Sequence, residues 1–154
     1  DVWNLHNAYL QVIYSENFHF INSGFINSML NIPEYHKDSE GFNVAVIILQ
    51  YLYYIELGDL SELVMRRDKL KTYMASHFKE NFSYRSRTIY KLLNIVVENK
   101  LDLKAIQLKS RYLLKKLQSN RIVGNAYQEM EIVPYEHLWE LIMKLLRSNA
   151  RRRL

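Results

Sequence analysis

The order of hydrophobic and polar positions predicts helices along nearly the whole chain. Apolar residues recur three and four positions apart, the spacing that places them on one face of an α-helix. The pattern predicts seven helices. Their apolar positions are Trp3, Leu10 and Ile13 in the first, which ends near Tyr14; Phe18, Ile21, Phe25, Ile26 and Met29 in the second; Val44 to Leu57 in the third; Leu60, Leu63, Val64, Leu70, Met74 and Phe78 in the fourth; Ile89, Leu92, Leu93 and Val96 in the fifth; Ile106, Leu113 and Leu117 in the sixth; and Leu138, Leu141, Ile142 and Leu145 in the last.

Polar residues and one proline mark where several of these helices begin. Asp59 can accept hydrogen bonds from the free amides at the start of the fourth helix, while Glu62 reaches back as in a capping box. Ser83 and Asp102 are the equivalent caps of the fifth and sixth helices. Pro134 is expected to be the first residue of the last helix, where the missing N–H has no helical partner to lose.

Other stretches lack helical spacing. Residues 34–41 follow Pro33 and form a polar connection. Residues 120–133 contain Gly124 and are expected to form a long ordered loop, with an extended piece near 130–133. The triplet Arg151 to Arg153 is expected to fray, as chain ends commonly do.

The third helix is apolar on all sides, apart from Gln50 and Glu56. A helix without a polar face is covered on several sides by its neighbours, so it should form the centre of the core. Its apolar run of about fourteen residues is short of the roughly twenty needed to cross a bilayer. Tyr51, Tyr53 and Tyr54 on this helix are expected at the core or its edge, with their hydroxyls directed outward.

Two hinges between helices resemble each other. Leu57-Gly58-Asp59-Leu60 and Lys100-Leu101-Asp102-Leu103 each follow an apolar helix and precede a basic one, and their aspartates are 43 residues apart. A hairpin cannot bury its own apolar face, so repeats of this length stack on one another. The fold class predicted is therefore all-α, with about seven helices in stacked antiparallel hairpins.

The first hinge resembles the tetratricopeptide family. Tyr54, Gly58, Asp59 and Leu60 match the passage of that repeat in which the hairpin turns. The resemblance implies a right-handed α-solenoid and no particular ligand-binding residues. Separately, residues 131–141 resemble the closing segment of a group of uncharacterised bacterial helical proteins, which implies a C-terminal helical domain and no activity.

Length and composition set the domain organisation. The chain has 154 residues, 49% of them hydrophobic, which is enough for one domain with its own core. We expect a single helical domain over residues 1–148 and a basic tail over 149–154. Cysteine is absent, which excludes disulfides and fits a reducing, cytoplasmic location. Because the sequence opens on Asp1 rather than Met, it is expected to be the C-terminal part of a longer protein.

Charge is unevenly distributed along the chain. Residues 1–65 carry a net charge of −7, residues 66–121 one of +11 and residues 122–154 one of +1. Such a basic region can attract a polyanion. The residues expected to bind a partner are Arg66, Arg67, Lys71, Arg85, Arg87, Lys91 and Arg111. Lys69, Lys109, Lys115 and Lys116 could extend the same face.

The basic region has three interpretations. The first is a set of solvated helix faces partly neutralised by the acidic first half. The second is an acidic protein partner. The third is a nucleic acid, on whose bases Tyr84, Tyr90 and Tyr112 could stack, with an affinity that falls as salt rises. The twelve tyrosines of the chain fit a binding surface, but they also fit a biased genome composition.

Residue constellations typical of catalysis are scarce. Glu16 and His19 have the one-turn spacing of bundle di-metal sites, but the second copy that such sites need is missing. Glu136, His137 and Glu140 indicate a surface ion pair or hydrogen bond. Phosphate loops, zinc-protease helices and nucleophile elbows are absent from the sequence. The sequence therefore predicts neither an enzyme nor a bound cofactor or metal.

Arg67 falls between Val64 and Leu70 on the predicted inward stripe of the fourth helix. A buried guanidinium needs partners. We therefore expect Arg67 to pair with an acid such as Glu56, or to line a groove for an anionic ligand.

The function predicted is non-catalytic: a protein-interaction or scaffolding domain that binds a protein or peptide partner. The alternative is a nucleic-acid-associated helical domain that uses residues 66–121. A third possibility is a segment that only caps or dimerises its parent chain. No membrane partner is expected.

Overall fold

A computed structural model describes residues 7–10, 40–77, 84–120 and 133–152. Within these ranges the chain forms helices and connecting turns, and residues 7–10 are helical as well. The five longer helices are α1 (Glu40–Leu57), α2 (Leu60–His77), α3 (Tyr84–Glu98), α4 (Leu103–Ser119) and α5 (Tyr135–Arg152). The all-α class is confirmed. The predicted second helix, the Ser83 cap, the Glu16–His19 pair and the extended piece at 130–132 lie outside the described residues.

Helix α1 is the central element of the core. Its residues from Ala45 to Glu56 are buried, with the single exception of the half-buried Tyr53. The helix begins at Glu40, four residues before the predicted start at Val44, so polar residues of the expected connection belong to its first turn. The expectation of an apolar helix covered on several sides is confirmed.

The helical residues 7–10 pack on the start of α1. Tyr9 is almost fully buried, and its hydroxyl donates a hydrogen bond to the backbone carbonyl of Ala45. Burial raises the pKa of the Tyr9 hydroxyl well above its usual value. The chain before α1 therefore contributes directly to the core.

The five helices pack in a closed order. Helix α1 contacts α2, α2 contacts α3, α3 contacts α4 and α4 contacts α5, and α5 returns to contact α1. In an open solenoid each hairpin contacts only its neighbours along the stack. The return of α5 to α1 instead gives all five helices one shared core, which contains Leu63, Leu92, Ile106 and Ile142.

The turn between α1 and α2 ends one helix and starts the next within two residues. The N–H of Gly58 donates to Ile55 O over 3.1 Å, and the N–H of Asp59 donates to Tyr54 O over 3.0 Å. This is the Schellman pattern, in which one residue takes a left-handed conformation; Gly58 does so with φ 69°. Asp59 then caps α2 by accepting a hydrogen bond from the Glu62 N–H over 3.1 Å.

The turn between α3 and α4 has the same bonds without a glycine. The N–H of Lys100 donates to Val97 O over 3.0 Å, and the N–H of Leu101 donates to Val96 O over 3.2 Å. Lys100 and Leu101 both have positive φ, 50° and 63°. Asp102 caps α4 by accepting from the Ala105 N–H over 2.7 Å. Both predicted aspartate caps are confirmed, whereas the predicted return contact of Glu62 is wrong, because the Glu62 carboxylate pairs with Arg66.

Helix α5 begins at Tyr135, directly after Pro134, and continues to Arg152. Near its end, the buried Asn149 side chain donates to the carbonyl of Ile55 at the end of α1. Arg152 forms an ion pair with Glu56 of α1. The expected fraying of Arg151 and Arg152 is therefore wrong, because residues 149–152 are helical and Asn149 and Arg152 are joined to α1. The domain boundary at residue 149 stays a prediction.

Candidate interaction surface

Helix α4 contacts the rest of the molecule along one narrow stripe. Its buried residues are Ile106, Ser110 and Leu117, and the stripe also contains the half-buried Leu113. Five of its 17 residues are basic and none is acidic. The basic residues are Lys104, Lys109, Arg111, Lys115 and Lys116. Helix α4 therefore presents a positive charge that no carboxylate of its own neutralises.

Two large apolar side chains are exposed among these cations. Leu108 is 64% exposed and Tyr112 is 66% exposed. They are four positions apart, so they are neighbours on the helix surface. We refer to the exposed residues Lys104, Leu108, Arg111, Tyr112 and Lys115, which follow each other at helical spacing opposite the buried stripe, as the α4 face. An apolar pair inside a basic rim is typical of a surface that binds another molecule.

Lys116 of α4 interacts with exposed tyrosines of both α3 and α4. The Nζ of Lys116 lies 4.5 Å from the centroid of the Tyr112 ring. Hydrogen bonding to the Tyr112 hydroxyl, followed by smaller contributions from Tyr84, raises the pKa of the Lys116 ammonium. Tyr84, at the start of α3, is 43% exposed. Of the tyrosines predicted to stack on bases, Tyr84 and Tyr112 are thus both exposed and both close to Lys116.

Four of the seven residues predicted to bind a partner lie on the surface. They are Lys71 on α2, Arg87 and Lys91 on α3, and Arg111 on α4. None of these four forms an ion pair or side-chain hydrogen bond within the described part of the chain. Arg87 and Lys91 are one turn apart on α3, so they form a second basic pair on the same hairpin as the α4 face.

Arg85 is buried and serves the fold, which corrects its predicted role. Its side chain is only 7% exposed. Nη1 donates to the carbonyls of Leu117 and Asn120 over 3.0 and 2.7 Å, at the end of α4. Nη1 and Nη2 also donate to the two carboxylate oxygens of Glu136 over 2.9 and 2.6 Å. Arg85 therefore joins α3, the end of α4 and the start of α5.

The Arg85–Glu136 pair is charge-assisted and bidentate, the stronger class of protein hydrogen bond. Hydrogen bonding from Arg85 lowers the pKa of the Glu136 carboxyl. The Arg85 guanidinium also lies 5.8 Å from the ring centroid of Tyr135, whose hydroxyl is 3.1 Å from Ser86 Oγ. The ion pair predicted for Glu136 is thus present, but its partner is a buried arginine of α3 rather than a surface residue.

Arg66 is also engaged inside the molecule. Its guanidinium carbon lies 5.3 Å from the centroid of the Tyr54 ring, and Nη2 donates to the Tyr54 hydroxyl over 3.3 Å. The same nitrogen forms an ion pair with Glu62 over 3.2 Å. Because its side chain is 15% exposed, Arg66 contributes to the α1–α2 hairpin more than to a surface that a partner can reach.

Arg67 does not pair with Glu56, so the first of its two predicted roles is wrong, while the groove for an anionic ligand stays a prediction. Its Nε donates to Asp68 Oδ1 over 3.0 Å, and its side chain is 29% exposed. Glu56 is instead bound by Arg152. The hydrogen bond to Asp68 raises the pKa of Arg67. Its charge is therefore balanced by the adjacent residue, at the edge of α2 rather than within the core.

Burial also places Tyr51 differently from the prediction. Tyr51 is fully buried, and its hydroxyl has no hydrogen-bond partner among the residues described. Burial raises the pKa of this hydroxyl, since the charged form would lose its water. The prediction that Tyr51 lies in the core is confirmed. The prediction that its hydroxyl points outward is wrong, because the hydroxyl is buried.

Leu108 and Lys104 were not among the residues singled out from the sequence. The signal that could have found them is the position of Leu108 relative to Ile106, two residues apart and hence about 200° around a helix with 3.6 residues per turn. A leucine opposite the buried stripe of an otherwise basic helix marks an exposed apolar site. The charge count alone did not identify it.

Other kinds of site have little support in the described ranges. They contain no group of three or more histidine, aspartate or glutamate residues placed to hold a metal ion. Within the same ranges, no helix combines the length and apolar character that crossing a membrane requires. Comparison with known proteins gives no relative: no family model matches the chain, and no curated protein or solved structure is significantly similar to it.

Proposed function

We propose that this chain is a non-catalytic protein-interaction domain whose α4 face binds an acidic segment of a partner protein. The observation that carries the proposal is the α4 face itself: three cations around an exposed leucine and an exposed tyrosine, on a helix without a single acid. Arg87 and Lys91 on α3 supply further positive charge on the same hairpin.

Charge and apolar area have separate roles in this proposal. The basic residues raise the rate of encounter with an acidic segment and reject basic ones. Leu108 and Tyr112 supply apolar area whose removal from water stabilises the complex. Tyrosine and arginine are also enriched at the centres of protein interfaces. The partner segment expected is therefore acidic residues interspersed with apolar ones, rather than a purely acidic tail.

The experiment is a fluorescence anisotropy titration of the chain against a labelled synthetic peptide of repeating glutamate and leucine. The variant K104Q/R111Q/K115Q should weaken binding by about tenfold or more. The variant L108S/Y112S should also weaken it, with little change in salt dependence. All five side chains are exposed, so both variants should keep the fold. Circular dichroism verifies this.

The matched control is K69Q/K71Q/K100Q, which removes the same charge from exposed positions of α2 and of the α3–α4 turn. It should bind the peptide nearly as well as the unmodified chain. If the control loses as much affinity as the α4 variant, the attraction is a property of net charge and the proposed surface is wrong. Full affinity in L108S/Y112S would equally reject the apolar part of the proposal.

A second candidate is supported by the cluster of Tyr84, Lys116 and Tyr112. Exposed tyrosine rings beside a lysine are suited to stacking on the bases of a single strand, while the neighbouring cations contact its phosphates. A labelled single-stranded oligothymidylate distinguishes the two functions. Binding that falls steeply with salt and is lost in Y84L/Y112L would favour the nucleic acid. Peptide binding without oligonucleotide binding would favour the protein partner.

The proposal also includes the kind of protein to which this domain belongs. The turn of the α1–α2 hairpin at Gly58 supports the resemblance to tetratricopeptide repeats, whereas the return of α5 to α1 is unlike an open stack of hairpins. We propose a scaffolding segment of a larger, cytoplasmic bacterial protein. If the domain only caps or dimerises that parent, deleting it would change the oligomeric state of the parent and leave peptide binding at the α4 face undetectable.

A further inference from the structure

A groove of about 440 Å³ lies along the second half of α5. It is lined by Lys144, Arg147, Ser148, Arg151 and Arg152. These residues follow one another at intervals of three, one, three and one, so they occupy one side of the helix. Every charged residue of this lining is positive. All five of these residues belong to α5, so the groove is an open surface depression rather than an enclosed cavity.

One wall of the groove is fixed in place. Arg152 forms an ion pair with Glu56 of α1, and its Nη2 also donates to Ser148 Oγ over 3.2 Å. Next to Arg152, the side chain of Asn149 is bound to α1 through the carbonyl of Ile55. The end of α5 is therefore held against α1, and the lining residues project from a rigid support.

The remaining cations are not balanced within the described part of the chain. Lys144, Arg147 and Arg151 form no ion pair or side-chain hydrogen bond there. Glu56 is the one carboxylate that contacts the lining through an ion pair in the described ranges, and it contacts Arg152. Arg147 and Arg151 are one turn apart, a spacing at which like charges destabilise a helix.

The helix dipole explains only part of this concentration of charge. Cations are stabilising near the end of a helix, but the effect is confined to the last turn. Arg151 and Arg152 are in the last turn of α5. Arg147 and Lys144 lie before it, so their presence in the same stripe is not accounted for by the helix end.

We infer that this groove binds a phosphate-bearing anion. Guanidinium groups match the geometry of phosphate oxygens and can donate to them in pairs. Arg147 and Arg151 supply two such groups, Lys144 a third positive charge and Ser148 a hydroxyl. A doubly or triply charged phosphate would relieve the repulsion between these residues, which a single water-exposed carboxylate would do less well.

This inference does not depend on the proposed function. The groove is on α5, whereas the proposed protein-binding surface is the α4 face. Either site can exist without the other, and variants at one of them leave the residues of the other unchanged.

The test is isothermal titration calorimetry of the whole chain with inorganic pyrophosphate at constant ionic strength. The variant R147Q/R151Q should bind about tenfold more weakly or not at all. The control K71Q/K100Q removes the same charge from exposed positions of α2 and of the α3–α4 turn and should differ from the unmodified chain by less than about twofold. Because both pairs are exposed, unfolding is not expected, and circular dichroism checks that each variant is folded.

A second arm identifies the source of the phosphate. Vesicles of phosphatidylcholine with and without phosphatidylinositol 4,5-bisphosphate are sedimented with the chain. Sedimentation only with the phosphorylated lipid, reversed by pyrophosphate and absent in R147Q/R151Q, assigns the site to a lipid headgroup. Pyrophosphate binding without sedimentation assigns it to a soluble phosphate. No binding in either arm, or an equal loss in K71Q/K100Q, overturns the inference.

Discussion

The hairpin α1–α2 and the hairpin α3–α4 reach the same geometry by different means. Both turns use the same pair of backbone hydrogen bonds and both are followed by an aspartate cap. The first turn places Gly58 at the left-handed position, whereas the second places Lys100 there and adds Leu101. A left-handed conformation costs about 1–2 kcal/mol per residue with a Cβ. The second turn is therefore strained where the first is not.

The strain of the second turn is offset by the core. The Leu101 side chain is buried in the core, only 7% exposed, and its N–H donates the last of the hydrogen bonds that close α3. Burying a leucine side chain contributes about 1.5–3 kcal/mol. The backbone bonds also align Gly58 with Lys100, not with Leu101 as the two sequences suggest. A hairpin can thus be closed either by a residue without a side chain or by one whose side chain is well packed.

The two hairpins also differ in how they are joined to α5. The first is joined to its end, through Asn149 and the partly exposed Arg152. The second is joined to its start, through the buried Arg85 and Glu136. Removing one partner of a buried charge pair is costly because the other charge remains unpaired.

The largest expected effect is at the second of these junctions. Glu136→Gln should lower the free energy of unfolding by about 3 kcal/mol, since the Arg85 guanidinium would stay buried without a counter-charge. The measurement is urea denaturation at neutral pH. Arg152→Gln is the comparison at the first hairpin and should cost about 1 kcal/mol, because its side chain is 44% exposed. Equal losses would contradict the difference between the junctions.

The same pair gives a pH dependence. The Glu136 pKa is lowered in the folded state, so its contribution to stability is complete above the unfolded carboxyl pKa of about 4.3 and is lost as pH falls through the folded value. Stability measured from neutral pH into acid should therefore fall less steeply in Glu136→Gln than in the unmodified chain. An unchanged slope would mean that the pair does not titrate as described.

The next effect in size concerns the leucine of the second turn. Leu101→Ala should destabilise by about 2–3 kcal/mol, because it removes buried apolar atoms and keeps the left-handed strain. Leu101→Gly should be less harmful, by up to about 1 kcal/mol, because it removes that strain as well. The difference in unfolding free energy between Leu101→Ala and Leu101→Gly, measured by thermal unfolding, reports the strain at this position. Leu57→Ala, at a residue 58% exposed in the first turn, should have little effect.

Gly58→Ala should destabilise by about 1 kcal/mol, since an added Cβ brings to the first turn the strain already present in the second. Chemical denaturation compared with the unmodified chain measures it. A neutral result would mean that the backbone at Gly58 relaxes out of the left-handed region.

The smallest expected effect is an increase in the free energy of unfolding. Lys100→Gly should stabilise by about 0.5–1 kcal/mol, because relief of strain outweighs the greater freedom of glycine in the unfolded chain. Lys100 is exposed, so no packing is lost. A shift of the unfolding midpoint to lower temperature would show that Lys100 carries no strain.

Helix positions and aspartate caps could be predicted from the sequence because they depend on nearby residues. Apolar spacing located α1 to α5, and Asp59 and Asp102 are both caps. The closed packing order could not be predicted, since it depends on contacts such as that between Asn149 and Ile55, which are 94 positions apart. Local sequence contains no information about such a pairing.

The basic residues show the same limit. Arg85 was assigned to the surface because of its charge, yet it shares a helical stripe with the buried Ile89, Leu92 and Val96. Arg67 was assigned inward because of its spacing, yet its neighbour Asp68 binds it at the edge of α2. At both residues, charge predicts an exposed side chain and helical spacing predicts a buried one. The contacts with neighbouring residues determine which is observed.

Arg85 has one more consequence for the chain as a polymer. It binds the backbone carbonyl of Asn120 at the end of α4 and the carboxylate of Glu136 in the first turn of α5, so one side chain of α3 holds two consecutive helices. This single guanidinium is thus a junction of three helices, and its removal would release the end of α4 and the start of α5 together.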